Sequence, residues 1–152
     1  IRSEAELTGS NGIDISPDNS FLYVASETKW IVLVDLATKK IEPIANHLAV
    51  DTKVIDGLMY YKNSLFGILN PGNDPSQHTI ARYYLSEDGK EILAASIIDR
   101  NNPLFAIPTT GVIANDELYC LAATFLNQLS ISGNYDAEKI KNPLVLKYRL
   151  NN

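Results

Sequence analysis

An all-β chain of small stacked sheets is what this sequence predicts, and three observations predict it. A short phrase recurs three times: Asn11-Gly12-Ile13 before Phe21-Leu22-Tyr23-Val24, Asp56-Gly57-Leu58 before Ser64-Leu65-Phe66-Gly67, and Thr110-Gly111-Val112 before Glu117-Leu118-Tyr119-Cys120. The three glycines stand 45 and 54 residues apart. Short apolar and β-branched runs broken by turn sequences fill each interval, and no long helical periodicity intervenes. A repeat of roughly 40–50 residues made of short strands is the pattern of β-propeller blades. Each blade is a sheet that buries its faces only by stacking on neighbours.

The first unit covers 11–45. Gly12 to Ser16 is a strand that ends in the turn Pro17-Asp18-Asn19, where Pro presets φ and Asp and Asn tolerate tight geometry. Phe21 to Ser26 and Trp30 to Leu36 are the next two strands. The polar turn Ala37-Thr38-Lys39-Lys40 leads to a short outer strand, Ile41 to Ile44. The second unit, 55–99, has strands at Gly57 to Tyr61, Ser64 to Leu69, Thr79 to Leu85 and Glu91 to Ile98. The loop Asn70–Gln77 joins its second and third strands, and Asp88-Gly89 supplies the positive φ of its last hairpin. The third unit, 109–150, has strands at Gly111 to Ala114, Glu117 to Thr124 and Leu144 to Leu150. A long polar loop, 125–142, interrupts it, and Asp136 to Lys141 has the composition of one helical turn. No fourth strand follows, so this blade lacks its outer strand.

Three blades with two open faces predict part of a ring, a partial propeller. Segment 1–8 reads as the outer strand of a preceding blade. The expected partner of the open faces is an N-terminal half outside this sequence, or a second copy in a homodimer about a two-fold axis.

Composition bounds the function. The chain has 152 residues, 45% hydrophobic and 20% charged, with a net charge of −5. That balance describes a folded soluble chain, cytoplasmic or exported. No apolar run approaches the roughly 18 residues of a membrane helix. The acidic charge and the lack of a Lys/Arg stripe argue against nucleic-acid binding. One cysteine, Cys120, excludes an intrachain disulfide, and its apolar neighbours make it a buried small hydrophobe rather than a nucleophile.

In a propeller the first strand of each blade lines the central channel. The residues before the repeat glycines, Asn11, Asp56 and Thr110, are therefore expected to converge at the channel mouth. Oxygen donors so placed suit a hard divalent cation; as isolated residues, Asn and Asp beside Gly are turn formers. Arg100, in the segment Asp99 to Pro103 between blades two and three, is a candidate for binding an anionic substrate in bidentate fashion. His47 and His78 read as solvated loop residues, without a second ligand at metal spacing. Tyr60-Tyr61 and Tyr83-Tyr84 are read as pairs with one ring packed between blades and the other partly exposed.

The phrase Ser10-Asn11-Gly12-Ile13-Asp14-Ile15-Ser16-Pro17-Asp18 with Phe21-Leu22-Tyr23-Val24-Ala25 resembles the blade signature of the gluconolactonase, senescence-marker-protein and luciferin-regenerating-enzyme superfamily of six-bladed propellers. Val54-Ile55-Asp56-Gly57-Leu58 resembles its next blade. The phrase Pro108 to Ile113 with Asp116-Glu117-Leu118-Tyr119 looks like the final blade of bacterial relatives. The resemblance implies a divalent metal (calcium, zinc or manganese) with Asn11 and Asp56 among its ligands. It also implies an acidic ligand from an early blade, and an Arg and an Asn from middle blades, none of them in this sequence. The resemblance makes these three blades half of a six-bladed ring, and the activity it implies is metal-dependent hydrolysis of a small lactone or sugar ester. Arg100 and Thr110, read from their own positions, are the candidate substrate-binding residues. The rival expectation is a non-catalytic propeller acting as a small-molecule or protein-interaction platform, which the acidic surface and the long loops also suit.

Overall fold

The three predicted units form three separate sheets, stacked in chain order. The structure, a computed structural model, describes residues 7–48, 54–72, 74–128, 138 and 140–150. The first sheet runs β1 (Ser10–Ile15), β2 (Phe21–Ser26), β3 (Trp30–Asp35) and β4 (Ile41–Pro43), each antiparallel to the last. The chain then leaves as β5 (Ala45–Asn46). The second sheet runs β6 (Ile55–Tyr60), β7 (Ser64–Leu69), β8 (Thr79–Leu85) and β9 (Glu91–Arg100), and β5 adds to its outer edge in parallel. The third is β10 (Gly111–Ala114), β11 (Glu117–Ala123) and β12 (Leu144–Arg149). The fold is all-β, a partial propeller, and its last blade is three-stranded among the described residues. The inner strands β1, β6 and β10 lie side by side.

Two cores lie between the blades, because each sheet carries apolar side chains on both faces. Tyr23, Ala25 and Ile31 of the first blade meet Leu58, Leu65, Tyr83 and Ile92 of the second. Phe66, Ile68 and Ile80 on the opposite face of the second meet Leu118, Cys120 and Ala122 of the third. Within a strand, alternation sends neighbours to different cores: Leu65 to one, Phe66 to the other. Tyr83 is buried and Tyr84 is 37% exposed, so one ring of that pair packs between blades as expected.

Two details depart from the sequence reading. Ile41 to Ile44 is not a whole outer strand. β4 ends at Pro43; the Ile44 N–H still donates to the Ile31 carbonyl of β3 at 3.0 Å, and the chain then crosses to the second sheet, where the Ala45 N–H donates to the Lys90 carbonyl at 3.1 Å. His78 is not solvated. Residues 75–77 turn back as a single 3₁₀ turn capped by Asp74, and the His78 ring sinks beside Phe105 with Nε2 3.1 Å from the Gly72 carbonyl oxygen. His47 is exposed, 3.6 Å from Glu91. The expected strand at 1–8 and helical turn at 136–141 fall largely outside the described residues. Leu7, at the edge of that first segment, packs on Val24, Val32 and Val34, the outward face of the first blade.

Candidate functional site

The start of each inner strand is irregular, and at the same place. In β1, Ser10 pairs with Ser26 and Ile13 with Val24, so Asn11 and Gly12 together face Ala25. In β6, Ile55 pairs with Leu69 and Gly57 with Ile68, which leaves Asp56 as the extra residue. These are β-bulges, which bend a strand and re-aim the bulged side chain. At β10, the Thr109 N–H donates to the Leu121 carbonyl at 3.2 Å, and the Leu121 N–H donates to the Thr110 carbonyl at 2.8 Å, so two residues again face one.

The register fixes which positions are equivalent. Asp14 lies opposite Tyr23, Met59 opposite Phe66 and Val112 opposite Tyr119. Two residues earlier stand Gly12, Gly57 and Thr110. The third repeat phrase is thus one residue out of phase: Thr110 occupies the glycine register, and Thr109 matches Asn11 and Asp56. Contact explains the two glycines that remain in phase. A Cβ on Gly12 would collide with the Leu58 nitrogen and stand 2.8 Å from the Asp56 carbonyl oxygen. A Cβ on Gly57 would stand 2.7 Å from the Thr109 carbonyl oxygen and 3.0 Å from the Thr110 Cα. Each inner strand therefore lies backbone against backbone on the next, and a side chain there would separate the blades.

That nesting brings the candidate residues to one place. Asn11, Asp56 and Thr110 line a cavity of about 460 Å³, with Asp14 and the apolar Ile13, Met59 and Val112. A second cavity, about 290 Å³, shares Asn11 and Asp56 as its wall and continues to Ser10, Glu27 and Asn70. Asn11 and Thr110 are exposed, whereas Asp56 and Asn70 are half-buried. Arg100 lines neither cavity. It ends β9, on the row Ile55–Leu69–Thr79–Arg100, three strands and about 14 Å out from the inner strand. There its Nε donates to Thr79 Oγ1 at 3.3 Å.

Two polar residues at the site were not singled out by sequence. Asn70, at the end of β7, donates from Nδ2 to Asp56 Oδ2 at 2.7 Å and to the Pro108 carbonyl at 2.8 Å. Asp14 accepts from the Tyr60 N–H at 2.6 Å through Oδ2 and from the Ile15 N–H at 2.8 Å through Oδ1, which ties β1 to β6. The one available signal for Asn70 was its place, closing the strand that pairs with Asp56's own strand. Cys120 lies away from these cavities in the second core, where burial pushes its thiol up to about 12.

Asn11 and Asp56 offer an amide and a carboxylate oxygen, the donor chemistry of calcium or manganese rather than the N and S ligands of zinc. Among the described residues no three His, Cys, Asp or Glu side chains gather closely enough to hold a metal. Among the described residues that line the cavity, Asn11, Asp14 and Asp56 carry amide or carboxylate oxygens; the Asp14 oxygens are taken by backbone N–H groups, and the Asp56 carboxylate is held by the Asn70 amide. No protein-family model matches the chain, and no curated protein matches it at significance.

Proposed function

We propose that the cavity at the inner-strand starts binds a hard divalent cation through Asn11 and Asp56, in a propeller that hydrolyses a small lactone or sugar ester. The observation that carries this reading is the equivalence of the two residues. Both stand in β-bulges at one register of adjacent inner strands, and both line the same cavity. The resemblance of the surrounding phrases to gluconolactonase-like propellers supports the reaction class. A cation bound there supplies polarisation of the ester carbonyl and a water of lowered pKa. Thr110, exposed at the rim, is suited to a substrate hydroxyl, and Ile13 and Val112 to the apolar face of a small ring. Further ligands would come from blades beyond these three.

A second reading has its own support. Ile13 and Val112 are 57% and 59% exposed beside the cavity, and such apolar rims also suit a non-catalytic binding platform. Calorimetric titration of the full-length protein with calcium and manganese chloride separates the two. Saturable heat, abolished by Asp56→Ala, together with proton release from small lactones, is the outcome expected of the hydrolase. No heat with either ion favours the platform.

A further inference from the structure

Beyond the two donors themselves, the strain around them points to what holds them. Val54 and Ile107 both have φ in the left-handed region, at +55° and +58°. For β-branched residues this is a rare conformation that costs energy, and it persists only where the surroundings impose it. Ile107 also precedes Pro108, which restricts its backbone further. Val54 introduces the strand that carries Asp56, and Ile107-Pro108 introduces the third blade. One residue bonds to both segments. The Asn70 N–H donates to the Val54 carbonyl at 3.3 Å, and its side-chain amide donates to the Pro108 carbonyl at 2.8 Å and to Asp56 Oδ2 at 2.7 Å. Both side-chain partners are acceptors, so only the amide nitrogen fits there; the flipped rotamer would set oxygen against oxygen.

We infer that Asn70 is the positioning residue of the axial site, aiming the Asp56 carboxylate and coupling its aim to the docking of the second blade on the third. Loss of its amide frees the carboxylate to rotate and releases the strained start of the third blade together. The expected effect on affinity rests on the cation reading above. The hydrogen-bond geometry does not.

Two measurements on the full-length protein separate those layers. The first is nuclear magnetic resonance of the Asn70 side-chain amide, without added cation. Both Nδ2 protons should exchange slowly with solvent, and Asp56→Ala should speed one of them while the other keeps its Pro108 partner. Fast exchange of both in the unsubstituted protein overturns the inference, whatever the fate of the cation. The second is calorimetry with calcium chloride on Asn70→Ala, beside the control Ser76→Ala in the same loop. Asn70→Ala should weaken binding about 10- to 100-fold, the usual effect of removing a partner that orients a ligand, and Ser76→Ala should leave it unchanged. Equal affinity in Asn70→Ala and the unsubstituted protein overturns the inference. If the amide is protected but the unsubstituted protein binds no calcium, the cation reading falls and Asn70's role in placing Asp56 stands.

Discussion

At the residue scale, Tyr23 shows how one side chain serves two blades. Its ring lies parallel to that of Tyr60, centroids 5.9 Å apart, with Phe21 edge-on at 5.1 Å. Its hydroxyl donates to the Gly89 carbonyl at 3.0 Å, in the last hairpin of the second blade. Gly89 is held at φ +71°, and a Cβ there would strike that hydroxyl. Tyr23→Phe keeps the stacking but leaves a buried carbonyl unpaired. Its expected cost is about 1–2 kcal/mol, read as a lower urea midpoint with an unchanged m-value. His78 shows the limit of reading residues singly. A histidine among Pro, Asp, Ser and Gln looks solvated, and only the backward turn of 75–77 puts it under Phe105. Asn70 was unreadable for the same reason, since its meaning lies in bonds to residues 14 and 38 positions away.

At the scale of the element, the inner strands set the tolerances of the molecule. Gly57→Ala would force the Thr109 carbonyl and the Thr110 Cα outward, so the third blade must shift or the strand must bend. The expected destabilisation is about 1–3 kcal/mol, as for overpacking in a dense core. Hydrogen exchange should rise at Thr109 to Ala114 before it rises in β2 or β3, and equal change throughout the chain would argue against the nested contact. Most strands were legible because their patterns are strong: β2, β7, β8 and β10 begin and end where alternation and turn residues place them. The bulges were not. A strand with one extra residue spells like a regular one, which is why Thr110 was equated with Asn11 and Asp56 although it stands one register later. β5 was missed because two residues carry no pattern.

At the scale of the whole molecule, the carboxylates of the turns share one titration behaviour. The Ser16 hydroxyl holds Asp18 below its usual value, the Thr38 backbone does so for Asp35, and the Ser76 and Ser86 hydroxyls do so for Asp74 and Asp88. The Tyr61 hydroxyl lowers Asp116, and the Tyr119 hydroxyl lowers Glu117, each with help from a lysine. A carboxyl whose folded pKa lies below its unfolded one binds fewer protons when folded. Its stabilisation is complete above the unfolded value, near 3.8 for these aspartates, and is lost as pH falls through the lower folded value. The denaturation midpoint should therefore be flat from about pH 7 to 5 and decline below about pH 4. Asp18, Asp74, Asp88 and Asp116 are exposed and Asp35 and Glu117 are half-buried, so each loss is small, and raised salt should blunt those that depend on lysine. A midpoint that instead fell between about pH 7 and 5 would mean a histidine, not these turns, governs acid sensitivity.

The crossover at Ala45 and Asn46 has a consequence for how the molecule comes apart. The segment leaving the first blade is already woven into the margin of the second, alongside Glu91 and Ile92. Unzipping the first blade strips two residues from its neighbour's rim, and the aromatic stack at Tyr23 goes with them. The first two blades are thus bound to melt as one cooperative body. No such strand exchange joins the second blade to the third among the described residues, where the junction rests on core packing and on side-chain bonds: the amide of Asn70 to Pro108, the Tyr148 hydroxyl to Asp99, and the Tyr61 hydroxyl and Lys62 ammonium to Asp116.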